Sequence, residues 1–203
     1  MDFFSHLSPI KNYAHVRKEL VPIGIFGSFR RTNKPYLDEL KDFLLENGYL
    51  ALNSLDISKL YPKPSDMDDE EYNNRISEAL VQVAQVHIVF LFREPDGEHN
   101  INQSATQELQ MMIDQHKKHV RLFIEEGCWD QLKSLFRGML KRQINHWKWD
   151  FFDREEDSSI TFIKETGVSY CLNRIRDDPS LGFESREAFL NKSHEVCRDI
   201  MNS

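Results

Sequence analysis

The chain has 203 residues, 40% of them hydrophobic and 29% charged, with a formal net charge of -7. That length fits one compact domain with a C-terminal extension, and the acidity argues against a general nucleic-acid or anionic-membrane binder, since both need cationic surface. No stretch approaches the ~20 apolar residues of a membrane span, so a soluble protein is expected.

The first strand is read at Val21 to Phe26, ending in Gly27, Ser28 and Phe29. Pro35 then opens a helix whose Leu37, Leu40, Phe43 and Leu44 recur at helical spacing, stopped by Asn47 and Gly48. Tyr49 to Asp56 reads as a second strand and Tyr61 to Ser65 as a loop. The acidic run Asp68 to Glu71 suits the positive end of a helix dipole, and the apolar face behind it is Tyr72, Ile76, Leu80 and Val83. A third strand, Val86 to Phe92, is nearly continuous in apolar residues, as strands buried on both faces are. After a polar stretch from Arg93 to Gln103, a helix from Ser104 to about His116 packs through Ala105, Leu109, Met112 and Ile113. A fourth strand at Val120 to Ile124 precedes a helix through Leu132, Leu135, Phe136, Met139 and Leu140, and a fifth strand occupies Ile144 to Phe152. Helices at about Ser159 to Arg176 and Ser185 to Met201 close the chain. Alternating βα units of this length call for a parallel sheet with helices on both faces. The expected organisation is an α/β domain over 1–152 and a helical extension over 153–203 packed on it.

The N-terminus lacks the cationic and apolar regions of a secretory signal. Cys128, Cys171 and Cys197 are odd in number and form no CxxC pair, which supports neither a disulfide framework nor a cysteine zinc site. Cytoplasm is the expected location. The histidines His87, His99, His116 and His119 show no ligand spacing, so no metal is expected.

Three segments have the composition of a site. In the turn after the first strand, Gly27, Ser28 and Arg30 or Arg31 form either a backbone nest for a phosphate or sugar, or a tight turn with solvated arginines. In the polar stretch, Asp96, Glu98 and His99 either orient a ribose or are simply solvated. On the helix after it, Ser104 and Gln107 suit a capping box. Glu108 falls at the border of that helix's apolar face, between Ala105 and Met112. A carboxyl group there, near the carboxyl end of a buried parallel strand, lies where open α/β sheets put ligands, and it has the chemistry to stabilise or attack a sugar cation. The run Lys141 to Trp149 interleaves bases and aromatics, which suits a single-strand stacking platform or, in an acidic chain more readily, a half-buried edge strand.

Taken together, the strand ending in Phe26-Gly27-Ser28-Phe29, the hydrophobic third strand and the helix bearing Ser104-Ala105-Thr106-Gln107-Glu108-Leu109 resemble the nucleoside 2-deoxyribosyltransferase-like superfamily, and the arrangement is similar to Toll/interleukin-1 receptor (TIR) domains. The likeness covers about residues 21 to 127. It implies a three-layer αβα fold with a five-stranded, mainly parallel sheet in the flavodoxin-like order 2-1-3-4-5. It also implies a nucleotide or nucleoside ligand, NAD among them as substrate rather than cofactor, and by analogy a homo-oligomer whose neighbouring subunit completes the pocket. Glu108 matches the glutamate that serves as nucleophile towards the sugar in the transferases and in NAD cleavage by enzymatic TIR domains. Phe26, Gly27, Ser28, Phe29, Arg30, Asp96, Asn102 and Ser104 are the matching candidates for holding the substrate.

The chain also departs from the transferase pattern Asp-x-Gly-Thr-x-x-Glu. Asn102 stands for the aspartate and Ser104-Ala105 for Gly-Thr, Gln85 occupies the place of a second aspartate, and Phe26 replaces a tyrosine. These changes remove general acid/base partners and keep the nucleophile candidate. Two functions stay open: N-glycoside hydrolysis or transfer through Glu108, and a nucleotide sensor or protein-interaction module without chemistry.

Overall fold

A computed structural model of the chain describes residues 17–93, 102–128 and 147–202. Two strands form its centre, β1 (Pro22–Phe26) and β3 (Val86–Leu91), and every residue of both is buried. Continuous apolar strands of this kind are stable only when both sheet faces are covered. The edges are built by β2 (Leu50–Leu52) on one side and by β4 (Val120–Glu125) and β5 (Lys148–Phe152) on the other. The five pair in the order β2-β1-β3-β4-β5, and every pair is parallel. This is the three-layer architecture and strand order expected from the sequence.

The described helices are α1 (Lys34–Glu46), α2 (Ser54–Leu60), α3 (Asp69–Val83), α4 (Gln103–Asp114), α5 (Ser159–Asp177) and α6 (Arg186–Met201). One apolar cluster joins the sheet to α3, α4 and α6 through Ile76, Leu80, Leu109, Met112 and Val196. The opposite cluster joins it to α1 and α5 through Leu37, Leu40, Leu44, Ile163 and Ile175. The two C-terminal helices therefore cover opposite faces. Their connector is tied beneath the amino ends of the strands. Arg17 donates to the carbonyls of Asp178 (2.8 Å) and Leu181 (2.7 Å), and the Gly182 N–H donates to Gln85 Oε1 at 2.6 Å. Gln85 thus anchors this connector.

The second strand is shorter than its sequence suggests. Asn53 and Asp56, read as part of the strand, form a capping box: the Asp56 N–H donates to Asn53 Oδ1 (3.2 Å) and the Asn53 N–H to Asp56 Oδ2 (3.0 Å). These local side-chain bonds compete with a strand ladder and start α2 instead. At the far edge, Trp147 is buried and donates its indole N–H to the Lys117 carbonyl at 3.0 Å, while Trp149 on β5 is 40% exposed. The edge strand is present, but the two tryptophans, expected on one of its faces, differ: Trp147 precedes β5 and is buried, and only Trp149 belongs to the strand. The expected helix through Leu132 and Leu140, and Lys141 to His146, lie outside the described residues. No described helix is long and apolar enough to cross a membrane.

His87 is fully buried on β3. Its ring stacks on Phe26 (centroids 5.8 Å apart), its Nε2 donates to the Val81 carbonyl at 3.1 Å, and burial pushes its pKa down to about 3. It is a neutral core residue. The turn after β1 depends on Gly27, whose φ of +146° strains any other residue. A Cβ built there would lie 3.1 Å from Phe90 Cβ and 3.2 Å from the Phe90 carbonyl oxygen. Gly27→Ala is expected to destabilise the fold by about 1–3 kcal/mol, seen as a lower denaturant midpoint. An unchanged midpoint would show that the turn relaxes freely.

Candidate functional site

The carboxyl end of β3 and the start of α4 are held together by one side chain. Asn102 accepts from the Phe92 N–H at Oδ1 (2.9 Å) and donates from Nδ2 to the Phe92 carbonyl (2.7 Å), so its amide pairs with the backbone as another strand would. The buried Cys128 joins them, its Sγ donating to the same carbonyl at 3.4 Å. Asn102 is itself buried and has both ends of its amide engaged, which gives it a positioning role. Its side chain leaves the α4 N-terminus uncapped, and Ser104 sits exposed in the first turn, so the expected Ser104 to Gln107 capping box is not formed. The physical reason is that the stronger claim on this junction is the Phe92 backbone, whose buried polar groups must be satisfied.

With α4 fixed in this way, Ala105, Leu109 and Met112 face the core and Glu108 is buried with them, at 5% exposure. The sequence places it at the rim of the apolar face; the structure closes the rim by packing α3 against it. Ser77 on α3 donates its hydroxyl to Glu108 Oε1 at 2.9 Å. Glu108 Oε2 is buried with no hydrogen-bond partner among the described residues. Burial without a neighbouring cation penalises the charged form, which outweighs the Ser77 bond and pushes the pKa up to about 8. At neutral pH this group is a protonated acid in an enclosed setting.

The β1 turn contributes less than its composition suggests. The Phe26 ring lies back over Gly24 against His87, inside the core, which removes it from the strand ends where a base would pack. Ser28 is buried at the tip of β1, and Phe29 packs on the α1–α5 side of the core. Arg30 has an exposed side chain, and its carbonyl accepts from the N–H groups of Asn33 and Lys34, both at 2.9 Å, which starts α1. Gly27 and Ser28 thus stand at the strand ends, whereas Phe26 and Phe29 are packing residues. Asp96, with Glu98 and His99, lies outside the described residues.

Sequence reasoning misses a second group at the strand ends. Glu125, the last residue of β4, is 5% exposed and accepts at Oε2 from the Arg93 N–H (2.8 Å) and from Arg154 Nη2 (2.6 Å). Arg154 lies over the Phe92 ring at 5.4 Å, and Tyr36 donates to the Arg154 carbonyl at 3.3 Å. Glu125 and Arg154 line a cleft of about 360 Å³ with Arg93, Glu126, Asp153 and Glu155. Among the described residues both bonds to Glu125 fall on Oε2, which leaves Oε1 as an acceptor for a hydroxyl donor. Four carboxyl groups and two guanidinium groups thus line the cleft. The sequence signal is present as Glu125-Glu126-Gly127 ending a strand, but the pairing with Arg154 is 29 residues away in sequence. Among the described residues no group of three His, Cys, Asp or Glu is arranged to hold a metal ion.

No family model and no curated protein matches this sequence.

These contacts are open to direct test. Asn102→Asp keeps the acceptor for the Phe92 N–H but loses the donor to its carbonyl, and is expected to cost about 1–3 kcal/mol in denaturant unfolding; equal stability would show the amide pairing to be dispensable. The Glu108 pKa is raised from 4.5 to about 8 on folding, so between those values the native state holds a proton that the unfolded chain releases. Its contribution therefore weakens native stability as pH rises across that window. Glu108→Gln, which cannot ionise, is expected to gain stability over the parent between about pH 5 and about pH 8, read from paired unfolding curves. A constant difference across that range would show that the carboxyl is not buried in solution.

Proposed function

We propose that this protein binds a nucleoside or nucleotide at the carboxyl ends of β1, β3 and β4 and works on the N-glycosidic bond, with Glu108 as its reacting group. The observation that supports this is the Glu108 carboxyl, which is buried, raised in pKa, and has one oxygen without a partner among the described residues. A buried polar atom left unsatisfied in this way marks a functional candidate. In its protonated form Glu108 can donate a proton to a departing base; once ionised it can stabilise or attack the sugar cation that remains. At the end of β4, Glu125 Oε1 is an acceptor suited to sugar hydroxyls, and Ser28 adds a hydroxyl at the tip of β1. Because the resting carboxyl is enclosed by α3, substrate entry has to open the seam at Ser77.

A second reading, a sensor that binds the same class of ligand without chemistry, is favoured by Asn102 and Phe26. Two positions where the transferase pattern carries reacting groups serve packing here.

One experiment separates the readings: nucleosides and NAD are incubated with the parent protein and with Glu108→Gln, monitoring base release and thermal stability together. The enzymatic reading expects base release by the parent and loss of at least about 100-fold in the variant, the scale typical of one acid–base group. A thermal shift without base release supports the sensor. A ligand at 100 times its dissociation constant stabilises by ~2.7 kcal/mol. Base release that is unchanged in Glu108→Gln removes Glu108 from the mechanism, and absence of both responses overturns both readings.

A further inference from the structure

A second cleft, of about 370 Å³, lies at the amino ends of β4 and β5 beside α5, at the opposite end of these strands from Glu125. Its character is opposite to that of the whole chain. The protein carries a net charge of -7, yet Arg121, Lys148 and Arg174 all line this cleft, with Glu165 as the one acid among its lining residues. Strand pairing fixes two of the cations: Arg121 and Lys148 are register partners across β4 and β5. Helix periodicity supplies the third, along with neutral polar groups, because Thr166, Ser169 and Asn173 share the cleft-facing side of α5 with Arg174.

The two arginines also share one aromatic ring. Arg121 stands 5.4 Å and Arg174 5.5 Å from the Tyr170 ring centre. Such contacts attract each cation to the ring, but they bring two like charges together beside Lys148. Tyr170 supplies no balancing charge, since burial raises its pKa and keeps the phenol neutral. Arg121 has a counter-ion in Asp150, whereas Arg174 comes no closer to Asp177 than 3.9 Å. The Nε atoms of both arginines are buried with no hydrogen-bond partner among the described residues, so each guanidinium keeps at least one unsatisfied donor. An arrangement of this kind, costly when empty of counter-charge, is the usual form of a phosphoryl site.

We propose that the cleft between β4, β5 and α5 binds a small molecule through a phosphoryl group held by Arg121, Lys148 and Arg174. The volume exceeds what one phosphate ion fills, so a diphosphate or a phosphate ester is the class that fits. This site is separate from the strand-end crevice, and the proposal does not depend on any chemistry at Glu108.

The test uses the full chain and three probes, inorganic phosphate, inorganic pyrophosphate and glycerol phosphate, titrated by calorimetry at constant ionic strength with chloride as the control. Saturable binding of at least one probe is expected, weakening as salt rises. The doubly substituted variant Lys148→Met, Arg174→Met, which leaves the Arg121–Asp150 pair intact, is expected to bind at least about tenfold more weakly, since each charge-assisted bond it removes is worth more than a factor of ten. A preference for pyrophosphate would identify a diphosphate ligand, and one for glycerol phosphate an ester; either supports the site. Should that variant fold poorly, Asn173→Asp, which adds a negative charge to the cleft, is expected to weaken binding in the same direction. No saturable heat with any probe, or affinity unchanged in both variants, overturns the proposal, as does a chloride titration that reproduces the effect. Glu108→Gln should bind the probes like the parent, which keeps this result distinct from any outcome at the crevice.

Discussion

The pairing of the Asn102 amide with the Phe92 backbone is the constraint on which the rest of the site depends. A strand that ends inside a protein leaves an N–H and a carbonyl without a ladder partner, and buried groups of this kind must be satisfied. Asn102 satisfies both at Phe92 and also marks the start of α4. Helical geometry then sets the direction of each side chain along α4. Positions 105, 109 and 112 fall on the sheet and position 108 falls towards α3. A glutamate in that place is buried because of where the helix begins.

The protein deals with its buried acids in two different ways. Glu125 at the end of β4 has a guanidinium and a backbone N–H on one of its oxygens. Glu108, a helix away, has among the described residues only the Ser77 hydroxyl, which is too weak a partner to offset the loss of water, so its carboxyl holds a proton well above the usual range. His87 shows the same principle with the opposite sign: burial and the Lys117 charge keep its ring neutral, outweighing the hydrogen bond to the Val81 carbonyl. These differences arise from neighbours on other elements. Two buried glutamates, one ending β4 and one inside α4, therefore have different chemistry.

The fold is largely legible from sequence because its signals are local. The apolar run of β3, Pro35 and Gly48 around α1, and the acidic start of α3 each report their own segment. Legibility fails where side chains bond back to their own backbone. Asn53 and Asp56 turn an apparent strand into a helix start, and Asn102 displaces the cap expected at Ser104. The site is legible only in part. Gly27 and Ser28 stand at the end of β1 as expected, whereas Glu108 is buried in the seam between α3 and α4 and Phe26 turns inward onto His87. Glu125 and Arg154 are invisible as a pair, since nothing in either segment announces the other.

The sequence alone determined the alternation of strands and helices, the parallel sheet and the two closing helices, because periodicity and turn residues act over a few positions. Tertiary structure alone decided which carboxyl is protonated, which is paired and which cations converge beside Tyr170. Charge energies depend on distance and on exclusion of water, and both are set only when elements remote in the chain are packed together.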